Sequence, residues 1–150
     1  QLIGGLLGTL AAHFMFELDA YSLSTTVRTG ISQWVSEVVA AFGLVATILG
    51  CIRFRPVALP YAVALFISAG YWFTSSTSFA NPAVAIARSF TDTFSGIRPV
   101  DVPAFIAAEI IGAVLAAFVF GWLLKPDSGD IFYNGIKIKE KNNYFFLIRK

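Results

Sequence analysis

The chain is 150 residues long, 57% hydrophobic and only 13% charged, with a net charge of +2 from 11 basic and 9 acidic side chains. A soluble domain holds roughly 45–50% apolar and about 25% charged residues, so this composition indicates an integral membrane protein. A single cysteine, Cys51, and a single histidine, His13, exclude an intramolecular disulfide, a Cys/His metal cluster and a catalytic triad. No Gly-rich loop precedes a lysine as a phosphate cradle requires. The expectation is therefore a protein with no enzymatic activity, no metal and no cofactor.

Leu2 to Phe16 is the first expected span, about 15 residues against the roughly 20 that a bilayer core of about 30 Å requires. Gly4, Gly8 and Ala12 fall on one face, a strip of small residues that invites close approach of another helix. His13, on a neighbouring face, reads as a satisfied packing residue. The chain opens inside this apolar run without Met, and the expectation is that it belongs to a larger protein. Glu17 to Ser32 is polar, contains Arg28, and reads as an aqueous connection.

Gln33 to Ile52 is the second span and carries Glu37 about one turn in, where a carboxyl is expensive unless partnered. Two readings stand: a solvated interfacial side chain, or a carboxylate that receives backbone N–H groups of a non-helical segment. Arg53 and Arg55, followed by Pro56, end the span. Val57 to Phe73 is the third span, with Pro60 in its first turn, where the missing N–H costs little. Ser68, Ala69 and Gly70 form a small-residue patch before Tyr71, Trp72 and Phe73, a group suited to the membrane interface.

Between the third span and the last lies Ser75 to Thr91, a short polar segment centred on Asn81-Pro82-Ala83. Asn is a helix-capping residue, Pro suits the first helical position, and Ala83 to Phe90 is compatible with two further turns. The segment reads either as a re-entrant loop with a half-helix or as an ordinary extracellular connection. A half-helix at membrane depth is tolerated only where protein or a water-filled cavity satisfies its freed backbone groups. Asp92 to Asp101 connects to Val102 to Leu124, the clearest span, interrupted by one charge, Glu109. Ala104, Ala108, Gly112 and Ala116 repeat the small-residue stripe.

Residues 127–150 form a basic and aromatic tail with no assigned role. It reads equally as a short interfacial element, helical or strand-like, and as disorder. Arg53, Arg55 and the tail's basic residues fall on one side of a four-span arrangement, and the positive-inside rule places that side, with the C-terminus, in the cytoplasm. The expected partners are a lipid bilayer and small solutes, with no nucleic acid.

The run FTSSTSFANPAVAIARSF, followed by DVPAFIAAEIIGAVLAAFVFGWLLKP, resembles the C-terminal half of the major intrinsic protein family, the aquaporins and aquaglyceroporins. It is most similar to a bacterial branch associated with arsenic-resistance genes. The resemblance covers residues 1–126. It implies an incomplete aquaporin-like right-handed helical bundle of four transmembrane helices, equivalent to helices three to six, and one re-entrant half-helix. Helices one and two and the first Asn-Pro-Ala box would be missing.

The family's function implies a passive channel for water, glycerol-like polyols and undissociated arsenous acid. It also implies a homotetramer in the bacterial inner or plasma membrane. Asn81, Pro82 and Ala83 match the second Asn-Pro-Ala box at the channel centre. Glu37 matches the glutamate that supports the re-entrant loop, and Ser78, Phe79 and Ala80 match a ladder of pore-facing carbonyls. Ala69 stands at a narrow-filter position that is often His in water channels and Gly in glycerol channels. The family usually places Arg after the box, whereas this chain has Val84, with Arg88 one turn farther out as a candidate outer filter. Two alternatives accompany the channel: half of a secondary transporter built on a broken helix, and a non-conducting truncated membrane fragment.

Overall fold

The computed structural model describes residues 1–124 together with the strands Ile131–Tyr133 and Ile136–Ile138. Five α-helices follow in order: α1 (Leu2–Met15), α2 (Ile31–Phe54), α3 (Leu59–Phe73), α4 (Pro82–Arg88) and α5 (Val102–Leu123). The strands, β1 and β2, pair antiparallel with Phe132 opposite Lys137. The tail expected to be either a short element or disordered thus contains a two-stranded pair. The basic residues Lys139, Lys141, Arg149 and Lys150 lie outside the described residues.

Among the described residues, three helical stretches are long and apolar enough to cross a membrane: 31–54, 56–73 and 99–123. The expected fourth, α1, has 14 residues, about 21 Å at 1.5 Å per residue, short of a core of about 30 Å. Proline sets the helix boundaries. Pro56 opens a 3₁₀ turn ahead of α3 and forces Arg55 before it into extended geometry at φ −156°, which ends α2. Pro99 opens a second 3₁₀ turn leading into α5.

The small-residue stripe on α5 is a packing seam. Ala108, Gly112 and Ala116 are buried, as are Ala40 and Ala41 of α2. A Cβ on Gly112 would collide with the Val38 carbonyl oxygen and lie 3.0 Å from the Phe42 nitrogen and 3.1 Å from the Ala41 Cβ. Only glycine allows the two backbones this close. The stripe on α1 behaves differently. Gly4 and Gly8 meet nothing within 4 Å, and it is Gly5 whose added Cβ would sit 3.1 Å from the Ala87 Cβ of α4.

The connection between α1 and α2 keeps most of its residues exposed, as expected of an aqueous segment, but is strapped to the chain after α4. Ser24 N donates to Ser89 O at 3.0 Å, and Thr26 O accepts from Arg98 N at 2.9 Å. The amide and hydroxyl of Thr25 both donate to Asp92, at 2.8 and 2.9 Å. Arg28, expected in water, is only 6% exposed. Its Nε donates to Gly96 O at 2.6 Å, while its two terminal nitrogens reach Ser76 O at 3.0 Å and Phe94 O at 2.9 Å. Loss of solvent, then the charge of Arg88, hold this guanidinium below its usual pKa, with Glu37 acting in the opposite direction.

Candidate functional site

The site is built on a short helix that local sequence specifies completely. Asn81 is extended at φ −158° and caps α4, its Oδ1 accepting from Ala83 N at 2.9 Å. Pro82 occupies the first helical position, where no N–H is needed. The helix ends at Arg88, with Ser89 closing it, two residues earlier than the apolar pattern to Phe90 implies.

The approach to Asn81 is shaped by three non-glycine residues with left-handed backbone, Thr77 (φ 64°), Ser78 (φ 49°) and Ala80 (φ 51°). Such residues are uncommon and persist only where surrounding contacts over-determine them. Thr77 N donates to Thr74 O and Ser78 N to Ser76 Oγ, and the next three amides are held by two carboxyl groups. Glu37, fully buried, accepts from Phe79 N at 2.9 Å and from Ala80 N at 2.8 Å. Glu109, 2% exposed, accepts from Asn81 N at 3.0 Å. Three consecutive N–H groups are therefore held from the protein side. Among the described residues, the carbonyls of Ser78, Phe79 and Ala80 accept no hydrogen bond.

Phe79 anchors the loop. Its ring is 3% exposed, packs edge-on against Phe105 at 5.3 Å, and belongs to a core of Ala85, Ile97, Val102 and Phe105. The guanidinium carbons of Arg28 and Arg88 lie 4.9 Å and 4.3 Å from its centroid. Arg88 also donates to the Tyr71 hydroxyl at 3.2 Å, with a long contact to the Thr77 hydroxyl at 3.5 Å. Ser78 is buried against Gly70, where an added Cβ would sit 2.6 Å from its Oγ.

A cavity of about 930 Å³ runs between α1 and α4. Its walls include Asn81, Ala83, Val84 and Arg88, together with Gly4, Gly8, Ala12 and His13 of α1. The side chains of Ser78 and Phe79 turn inward instead, and Ala69 is exposed on α3. The Asn81 Nδ2 donates to Gln1 Oε1 at 3.0 Å. His13 is buried, with Nδ1 2.6 Å from Asp19 O and Nε2 2.8 Å from the Thr91 hydroxyl, so it is a satisfied packing residue beside the cavity. Among the described residues, no group of three or more His, Cys, Asp or Glu side chains is arranged to hold a metal.

Two residues of this constellation were not singled out from sequence. Arg28 gives no local sign of its burial. Glu109 carries the same signal that marked Glu37, a lone ionisable group inside an apolar span.

No family model matches the chain, and no solved structure matches it. The aquaglyceroporin AqpS of Rhizobium meliloti (strain 1021) is 61% identical over 126 residues, which is 84% of this chain and 54% of that protein. The chain thus spans about half the length of the curated relative it matches. Over those 126 residues the chain belongs to the major intrinsic protein family, the aquaporins and aquaglyceroporins.

Proposed function

We propose that the chain forms part of a passive membrane channel for small neutral solutes: water, glycerol-like polyols and undissociated oxyacids such as arsenous acid. The observation that carries this reading is the one-sided loop. Its N–H groups are committed to Glu37 and Glu109, leaving Ser78, Phe79 and Ala80 with free carbonyl oxygens. In the pore, that row of acceptors leads to the donor Nδ2 of Asn81 and aligns a hydroxylated solute by its own hydrogen bonds. Pro82 fixes the turn, while Ala83 contributes a small wall.

Val84 gives the narrow region an apolar wall in place of the guanidinium usual in the family, and Ala69 leaves it open on the α3 side. The filter is therefore wide and suits a polyol or a neutral oxyacid better than selective water passage. Arg88, steadied by Tyr71 and Phe79, supplies guanidinium donors at the outer mouth. The full-length assembly is a homotetramer in the cell inner membrane or plasma membrane, with the C-terminus on the cytoplasmic side. The relative's printed name, an aquaglyceroporin, supports the solute class.

Stopped-flow light scattering on reconstituted vesicles tests this reading with water, glycerol and arsenous acid in turn. The chain is assayed alone and joined to the unmatched part of the rhizobial relative. Glycerol and arsenous acid should permeate at rates proportional to their gradients. Saturable uptake coupled to an ion gradient would establish a transporter instead, and no permeability in either form would refute the channel.

A further inference from the structure

Glu109 lies within the α5 span, 2% exposed, beside the Glu37 carboxyl, and among the described residues the backbone amide it holds is that of Asn81, at 3.0 Å. Its second oxygen, Oε2, is buried without a partner. A carboxyl kept at such cost inside a membrane span is retained for what it holds, and the backbone amide it holds is that of Asn81.

The geometry points to Glu109 as a positioning residue of the pore, aiming the Asn81 carboxamide by fixing the Asn81 peptide from α5. The inference rests on the channel reading above and adds, from a different helix, a second support beside the one supplied by its neighbour Glu37. Glu37 is on α2 and holds Phe79 and Ala80, whose amides precede the box. Asn81 is different, because its side chain is the donor that meets solute. Its Oδ1 is tied to Ala83 N and its C=O accepts from Val84 and Ala85, which fix it on the helix side. On the loop side Ala80 is in the left-handed region, which persists only where neighbouring groups hold it. Glu37 holds the Ala80 N–H on one side of that residue and Glu109 holds the Asn81 N–H on the other.

The seat of Glu109 depends in turn on Gly112, one turn along α5. That glycine lets α5 lie against the Val38, Ala41 and Phe42 backbone region of α2. A larger residue there moves α5 outward and draws Glu109 away from Asn81 with the carboxyl group intact. Because Glu109 accepts through one oxygen only, the amide oxygen of Gln can replace it, whereas Ala and Leu cannot.

The test combines amide hydrogen exchange in lipid nanodiscs with the vesicle assay. In Glu109→Ala and Gly112→Ala, exchange at the Asn81 amide should rise at least tenfold while the Phe79 and Ala80 amides keep their protection. Glu109→Gln should restore wild-type exchange. In the conducting form, Glu109→Ala should shift the glycerol-to-water permeability ratio at least threefold, and Glu109→Gln should return it. Should Glu109→Ala fail to fold, Gly112→Ala and Glu109→Gln carry the same comparison. Unchanged Asn81 exchange in Gly112→Ala, or failure of Gln to preserve both exchange and ratio, overturns the proposal. Exchange is read without any solute flux, so a chain that never conducts defeats the channel reading while leaving the anchoring of Asn81 decided on its own evidence.

Discussion

Replacing Phe79 by Leu isolates the contribution of the aromatic ring between the two arginines. Leucine keeps most of the apolar burial but removes the π face at 4.9 Å from Arg28 and 4.3 Å from Arg88. A cation–π contact is worth about 0.5–1 kcal/mol where exposed and about 2 kcal/mol where desolvated. Arg28 is buried and Arg88 half-buried, so their contacts fall toward the upper and middle parts of that range. Losing the edge-on contact with Phe105 removes a further ~0.5–1.5 kcal/mol. The expected loss is then about 3–4.5 kcal/mol, which exceeds the cost of most volume-conserving core changes, about 1.5 kcal/mol or less. Thermal unfolding in detergent measures the total, and a double-mutant cycle of Phe79→Leu with Arg88→Met separates the Arg88 share. That cycle should show a coupling of about 1 kcal/mol. A coupling indistinguishable from zero would falsify the claim that the ring steadies Arg88.

Three other outcomes follow from the same geometry. Val84→Arg, placed on the cavity wall, should narrow the filter and lower glycerol permeability about tenfold relative to water; an unchanged ratio would show that Val84 does not line the constriction. Asn81→Asp keeps the cap to Ala83 but replaces the Nδ2 donor by an acceptor, so neutral-solute flux should fall while cation leak rises, with electrical recording as the check. Unaltered flux and leak would remove Asn81 from conduction. The amide and then the hydroxyl of Thr25 hold the exposed Asp92 carboxyl below its ordinary value. Its stabilising effect is therefore present above the unfolded value of about 3.9 and is lost as pH falls through the lower folded one. The melting temperatures of wild type and Asp92→Ala should converge on acidification, whereas a constant gap would rule out this linkage.

Local rules carried much of this architecture. The capping Asn81 and the first-turn Pro82 announced α4, and the depth of Glu37 admitted a role as acceptor for a non-helical segment. The stripe on α5 correctly marked a close approach. The stripe on α1 did not, because which of two adjacent glycines faces a neighbour is set by the rotation of the whole helix, and Gly5 took the contact from Gly4 and Gly8. Arg28 was illegible for a related reason. Its acceptors at Ser76, Phe94 and Gly96 are 48, 66 and 68 residues away, and composition near Arg28 says only that the stretch is polar. Glu109 was visible as an anomaly, but its partner is an amide 28 residues back that becomes available only through the left-handed turns before Asn81.

The same Arg28 has a consequence for biosynthesis. Its guanidinium closes on carbonyls that do not exist until Gly96 has been synthesised, by which time α2, α3 and α4 have already been made. The strap is thus a late event in assembly, and until it closes Arg28 must wait in water or among lipid headgroups. A ribosome stalled before residue 96 should leave residues 17–30 open to protease, and the released full-length chain should leave them closed. The polar stretch that looks most like a passive connection is in effect the clasp that records whether the segment from Ser76 to Gly96 has been completed.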